Sequence, residues 1–143
     1  MLKAIYSFMM RLMVSQYRRT KGKFGGQVAG LPVLLLTTTG RKSGKQHTTP
    51  LGFLEDNGDY VIIASNGGQD KNPAWFHNLK ANLNATIEIK DQPLQVTAEV
   101  ALPDRRSRLW DRLVKLSPQY GGYEKKTTRE IPMIILHPIQ SQA

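Results

Sequence analysis

Between Leu2 and Arg19 the apolar residues Ile5, Phe8, Met9, Leu12 and Met13 recur at helical spacing, while Lys3, Arg11, Arg18 and Arg19 fall elsewhere around the wheel. That pattern predicts an amphipathic, basic helix. Such a helix either packs on the body of the protein or a partner subunit, or lies on an anionic membrane surface, because cations flanking Phe and Met suit anionic headgroups. Gly25, Gly26, Gly30 and Pro32 end it, and beyond them the period changes. Residues 33–39, 48–55 and 60–66 read as strands, the last two joined into a hairpin through Asp56, Asn57, Gly58 and Asp59. Asn72-Pro73 predicts an N-cap and a first-turn proline for a short helix through Trp75, Phe76 and Leu79 to about Asn82. Residues 85–90 and 94–102 alternate around Asp91-Gln92-Pro93 as a second hairpin. Asp104 is expected to cap a helix bearing Leu109, Trp110, Leu113, Val114 and Leu116, which ends near Ser117-Pro118; residues 131–137 form a last strand.

The order α-β-β-β-α-β-β-α-β holds antiparallel hairpins and no βαβ series. It predicts a mainly β, α+β fold: a six-stranded antiparallel barrel with flanking helices. At 143 residues the chain is one domain's worth, divided into a helix and linker over 1–26 and a barrel over 27–143. The absence of cysteine excludes disulfides, thiolate metal sites, iron–sulfur clusters and a cysteine nucleophile, and fits a reducing cytoplasm. The first segment has basic residues within its apolar stretch and no small-residue cleavage site, so it is a poor secretory signal. No run approaches the roughly 18 apolar residues of a spanning helix. The expected location is the cytoplasm, with the inner face of the cell membrane within reach of segment 1–19.

The formal charge of +9, from 20 Lys and Arg against 11 Asp and Glu, points to a polyanionic partner. Nucleic acid, an anionic membrane and a small ligand with a phosphate or polycarboxylate tail all satisfy it. Three local clusters narrow the choice. Thr37-Thr38-Thr39-Gly40-Arg41-Lys42-Ser43-Gly44-Lys45 is a strand entering a glycine-bounded turn with three cations. It can hold an anion, with Arg41 gripping bidentately, Lys42 acting as a point charge and Ser43 donating; it equally reads as a solvated hairpin tip. It lacks the GxxxxGK[ST] spacing of a Walker A loop. Ala64-Ser65-Asn66-Gly67-Gly68, followed by Asn72 to Leu79, sets a polar loop before a helix N-terminus with its unpaired N–H groups. Trp75 and Phe76 there serve as core or as a ligand platform. Tyr120 and Tyr123 around Gly121-Gly122, then Lys125 to Arg129, read as a glycine-hinged loop able to close over a ring and present a phenolic proton. His47, His77 and His137 have no partner at ligand spacing, so no metal is expected.

The stretch LLLTTTGRKSGKQHTTPLGFLEDNGDYVIIASNGGQDKNPAWFHNLKAN and the later YGGYEKKTTREIPMIIL resemble the deazaflavin-dependent nitroreductase family, relatives of the flavin-binding split barrels. The likeness covers the chain from Leu34 to Pro138. It implies a split β-barrel that binds coenzyme F-420 and passes its hydride to a planar acceptor such as a quinone, an enone or a nitro compound. It implies Arg41, Lys42 and Ser43 as a phosphate clamp and His47, Thr48, Thr49, Pro50, Leu51 and Gly52 as the strand beside the cofactor. Ile63, Ala64 and Ser65 would line the ring, Ala74, Trp75, Phe76, His77 and Asn78 would wrap its other side, and Tyr120 would also touch it. Tyr120, Tyr123, Ser65 or an ordered water would supply the proton. Gly52, Ser117 and Asn66 stand where members can carry tyrosine, another aromatic and lysine, which implies a more open pocket and favours quinones or α,β-unsaturated carbonyls. A homodimer is a family-level expectation, and no nucleic-acid partner is expected. The rival readings are an FMN- or haem-binding split barrel and, further off, a basic nucleic-acid-binding module. Because the first helix precedes every motif of the site, its loss is expected to spare cofactor affinity.

Overall fold

In the computed structural model, which describes residues 2–23 and 25–139, strand β2 (Leu31–Thr39) is covered on both faces. Leu34 and Leu36 point into a barrel, while Val33 and Leu35 point outward beneath the first helix. This two-sided burial accounts for the unbroken run Val33 to Leu36. The other strands are β1 (Gln27–Val28), β3 (Gln46–Asp56), β4 (Asp59–Ile63), β5 (Asn84–Ile89), β6 (Gln92–Val100) and β7 (Met133–Pro138). All pair antiparallel in the order β1-β2-β3-β4-β7-β6-β5, and β2 also pairs with β5. That pairing closes β2 to β7 into the expected six-stranded barrel, with β1 a short flap on the start of β2. Met1, which opens the segment expected at the membrane, and residues 140–143, which end the expected barrel region, lie outside the described residues.

The barrel interior is filled by Leu34, Leu36, Phe53, Ile62, Ile87, Val96, Ile134 and Leu136, and is capped at one end by Trp75, Phe76 and Leu79 of α2 (Ala74–Ala81). A second layer lies outside, where Leu54, Val61, Ile63, Met133 and Ile135 meet Leu109, Trp110 and Leu113 of α3 (Pro103–Leu116) and Tyr120 of α4 (Gln119–Lys126).

Helix α1 (Leu2–Arg19) forms as its period predicts, but the stripe that predicts it is not the face that docks. Ile5, Phe8, Met9 and Leu12 are half or more exposed. Docking falls to Val14 and Tyr17, which pack on Val33 and Leu35. The Tyr17 hydroxyl donates to Val33 O at 2.9 Å and accepts from Lys90 N–H at 2.7 Å, and Arg18 forks onto the Glu88 carboxylate at 3.0 and 2.7 Å.

Three local expectations are corrected. Pro73, not Asn72, is the N-cap of α2, because its extended backbone fixes the entry while the Asn72 side chain accepts from Arg129 instead. Leu102, not Asp104, is the N-cap of α3; Asp104 sits in the first turn behind Pro103, where its charge suits the helix dipole. The segment read as a glycine-hinged loop is helix α4. Tyr120 anchors it in the outer layer, and Gly121 faces Val114 of α3, where a Cβ would find ordinary contact at 3.5 Å.

An ion network binds α3 to the β3–β4 turn. Buried Asp56 accepts from Arg108 at 3.1 and 2.8 Å and from Arg105 at 3.1 Å; Arg105 also reaches Asp59 at 3.0 Å, and Asp59 meets His137 at 2.9 Å. The hydrogen bond from Arg108, more than that from Arg105, holds the Asp56 carboxyl below the usual carboxylate range despite burial. A carboxyl with a lower pKa folded than unfolded contributes stability that is present above its unfolded pKa and is lost as pH falls through the folded one. Asp56→Asn is therefore expected to be less stable by about 1.5–3 kcal/mol at neutral pH. In denaturant titrations at successively lower pH its stability should fall less than that of the wild type through the acid range; parallel curves would show that the network carries no net stability.

Candidate cofactor site

The β2–β3 turn is fixed by its own backbone and from beneath. Gly40 N–H donates to Lys45 O at 2.7 Å, Gly44 N–H to Gly40 O at 2.9 Å, and Lys45 N–H to Ser43 Oγ at 3.1 Å. A Cβ at Gly40 would lie 2.6 Å from Ser43 Oγ and 3.0 Å from His47 Nε2, so a side chain there would displace the Ser43 hydroxyl that accepts from Lys45 N–H. Beneath the turn, buried Asn78 of α2 accepts from Arg41 N–H and donates to Thr38 Oγ1, each at 3.1 Å. The Arg41 backbone is thus held while its side chain and those of Lys42 and Lys45 are exposed, without a hydrogen bond or ion pair among the described residues. Three uncommitted cations on a rigid turn fit an anionic group, and the Ser43 O–H proton remains free to join them.

The loop after β4 is shaped by one arginine. Arg129 donates from Nε to Gln69 O at 2.9 Å, from one terminal nitrogen to Asn72 Oδ1 at 2.8 Å, and from the other to Ala64 O, Ser65 O and Lys71 O at 3.2, 3.0 and 3.2 Å. A guanidinium is suited to this because it offers five donors in a rigid plane. Asn66, Gly67 and Gly68 all have positive φ there. A Cβ at Gly68 would lie 3.2 Å from Tyr123 Cα, so α4 packs directly on the glycine, and Thr127 Oγ1 donates to Asp70 Oδ1 at 2.9 Å. The second and third clusters of the sequence are therefore one structural unit. Through Asn72 and Pro73 that unit continues into α2, whose Asn78 holds the basic turn.

The expected site residues divide by burial. Arg41, Lys42, Ser43, His47 and Ala74 are exposed; Thr48, Thr49, Pro50, Leu51, Ser65, His77 and Tyr123 are partly buried. Thr48 lies on the outer face, its hydroxyl 2.8 Å from that of Thr37. Gly52 is buried, and a Cβ there would come within 3.1 Å of Val28 and 3.3 Å of Leu31, so β1 covers the position. Ser117 is likewise committed, its hydroxyl donating to Ala29 O. Ile63 faces the outer layer, whereas Ala64, Trp75 and Phe76 face the barrel interior, which leaves their backbones and the shape they impose as what the surface offers. The Tyr120 and Tyr123 rings meet edge-on at 5.4 Å, and the Tyr123 hydroxyl accepts from Gln119. Burial pushes the Tyr120 hydroxyl above its ordinary pKa, and it makes no hydrogen bond among the described residues. The sequence placed Arg129 only within a basic segment, and it offered Asn78 as a wall of the ring, not as the brace of the basic turn. Their organising roles span 57–65 and 37–40 residues of chain, and the one local signal was their place in the REIP and NPAWFHNLKAN motifs.

Comparison with known proteins places the chain in a family. The family model of F420H2-dependent quinone reductases, named for reduced coenzyme F-420, matches residues 9–138. An F420H2-dependent quinone reductase of Mycobacterium tuberculosis is 37% identical over 132 residues, 90% of this chain and 89% of the relative. The solved structure of an F420H2-dependent reductase is 40% identical with a TM-score of 0.68, covering 74% of this chain and 94% of that one. A further solved structure, described as a domain-swapped dimer, is 34% identical with a TM-score of 0.70, covering 91% of this chain and 97% of that one. With a family model spanning most of its length and a relative above 30% identity over nine-tenths of it, the chain belongs to the F420H2-dependent quinone reductase family.

Proposed function

We propose that the protein binds reduced coenzyme F-420 and passes its hydride to a quinone or a similar planar acceptor. The observation that carries this reading is the β2–β3 turn, whose Arg41, Lys42 and Lys45 have no protein partner among the described residues while Asn78 holds the backbone beneath them. When bound, the deazaflavin supplies the hydride, since it has carbon where a flavin has N5. Arg41, Lys42 and Ser43 hold the phosphate. His47, Thr49, Pro50 and Leu51 on one side and residues 74–78 on the other give the walls of the ring site, from which Gly52 is screened by β1, and the carbonyls of Ala64 and Ser65, drawn back by Arg129, set the floor of the loop. The Tyr120 phenol carries a proton to offer the reduced acceptor, although burial, which raises its pKa, makes it a weaker acid, and Tyr123 and Ser65 are the neighbouring donors. The α1 helix extends the reading to the place of reaction. Its exposed Ile5, Phe8, Met9 and Leu12, on a helix without acidic residues, suit an anionic membrane surface at the inner face of the cell membrane, where lipid-soluble quinones are met. Among the described residues no helix is long and apolar enough to cross a membrane. A relative's domain-swapped dimer supports pairing of this chain as well.

Arg41→Ala is expected to weaken cofactor binding by about 1.5–3 kcal/mol in a fluorescence titration, the scale of a hydrogen bond to a charged group, with the turnover number at saturation nearly kept. Normal binding with lost turnover would instead put Arg41 at the reaction centre. Replacing Tyr120 and Tyr123 together by Phe keeps both rings and removes only the hydroxyls. Turnover should fall by about a hundredfold or more with cofactor affinity little changed, if either hydroxyl gives the proton. Unaltered turnover would leave Ser65 or water as the donor.

A further inference from the structure

Helix α1 has three faces. Val14 and Tyr17 dock on β2, and the apolar stripe from Ile5 to Leu12 is exposed. The third face carries Arg11, Ser15 and Arg18 at spacings of four and three, with Arg19 beside them, so these side chains stack along one side of the helix. The four residues of that side are exposed, and they border a concave surface. The side forms one wall of a groove of about 650 Å³ whose lining is Arg11, Val14, Ser15, Arg18, Arg19 and, from β3, Thr48. Arg18 is committed to Glu88, which steadies the wall, whereas the guanidinium groups of Arg11 and Arg19 have no hydrogen bond or ion pair among the described residues.

The groove adjoins the basic turn. Thr48 lies three residues beyond Lys45 along an extended strand, roughly 10 Å at the rise of a β-strand. The distribution of charge isolates the same region. Residues 1–54 contain nine Lys and Arg and no Asp or Glu, while the remaining eleven cations are matched by all eleven acids, so the entire net charge of +9 sits on the segment that builds the turn and the groove. A solvated surface has no reason to gather its whole imbalance in one segment, and two adjoining cationic features fit a ligand with anionic groups at more than one point.

We propose that the α1–β3 groove seats the carboxylates of the cofactor's glutamyl tail, with Arg11 and Arg19 as the residues that distinguish a tailed cofactor from a truncated one. The inference rests on the reading of the protein as a coenzyme F-420 reductase and adds a second anion subsite to it. The phosphate lies at Arg41 and Lys42, and the tail runs along the outer face of β3, past Thr48, into the groove. Helix α1 is then part of cofactor recognition even though the sequence places it ahead of every cofactor motif. An anionic lipid headgroup presents similar oxygens, and the exposed apolar stripe lies on the same helix, so the test separates the two sources.

The full-length protein is titrated, by quenching of deazaflavin fluorescence, with coenzyme F-420 bearing several glutamates and with the form that keeps the phosphate but lacks them. The Arg11→Gln/Arg19→Gln variant is titrated alongside, and both proteins are tested for sedimentation with phosphatidylglycerol vesicles. The wild type is expected to prefer the tailed form, and the variant to lose about five- to thirtyfold in affinity for that form alone, the scale of two solvent-accessible ion pairs. Its binding of the truncated form and its melting temperature without ligand should match the wild type, and its affinity should fall less steeply with salt. Arg11→Lys/Arg19→Lys, which keeps the charges, should retain most of the preference. Equal loss for both forms, or no loss for either with vesicle binding abolished, overturns the proposal, the latter by giving the groove to lipid. If the wild type binds neither form, the F-420 reading itself fails and the groove assignment falls with it.

Discussion

Closure of the barrel through β2 is the constraint on which the rest of the molecule depends. This strand pairs with β3 along one edge and with β5 along the other, and it is buried on both faces, by the barrel interior and by α1. A strand so enclosed has almost no freedom to shift register, because a slip of one residue would exchange its inner and outer apolar sets. Its last residues, Thr37 to Thr39, therefore deliver the Gly40–Lys45 turn to a fixed place. The Asn78 side chain then converts a well-placed turn into a rigid one. Holding cations in position before a ligand arrives lowers the ordering cost of binding, which gives physical meaning to an exposed basic turn that would otherwise be a solvated hairpin tip.

A similar division of labour appears on the other side of the site. The segment 64–72 has little regular structure and three consecutive positive φ angles, at Asn66, Gly67 and Gly68, so it does not define its own shape. Arg129 defines it by collecting four carbonyls and the Asn72 side chain. Helix α4 presses on Gly68 from above, and α4 in turn is held by Tyr120 in the layer it shares with α3. The candidate proton donor is thus also a structural anchor. Removing the Tyr120 ring would disturb the loop as well as the chemistry, whereas removing the hydroxyl alone separates the two roles.

Much of this was legible in the sequence, and what was not has identifiable causes. The strands were readable because alternation and turn residues are local signals, and the barrel followed from the hairpin order. Helix α4 was not, since Gly121-Gly122 disfavours a helix in isolation and the burial of Tyr120 against α3 and the outer layer is a tertiary contact. Strand β1, two residues long, carries no periodic signal at all. In α1 the period predicts the helix but not which side docks, because an apolar stripe suits a protein contact and a membrane surface alike; Val14 and Tyr17 dock and the stripe is exposed. The bracing roles of Asn78, which was expected beside the ring, and of Arg129 were hidden for a different reason: each acts across tens of residues, and nothing in the local sequence states which carbonyl or amide a polar side chain will meet. The basic turn, by contrast, was visible from the start, because its glycines and cations are contiguous.

The central claim is that these parts assemble around a deazaflavin and commit its hydride to an organic acceptor. The most direct measurement is anaerobic stopped-flow mixing of the protein and reduced coenzyme F-420 with a soluble quinone, following return of the oxidised deazaflavin by its visible absorbance. The account predicts reoxidation at a rate proportional to protein concentration and saturable in quinone, with one quinone consumed per cofactor and no comparable rate when reduced FMN is supplied instead. Reoxidation no faster than in the absence of protein, or equal turnover with FMN, would contradict it.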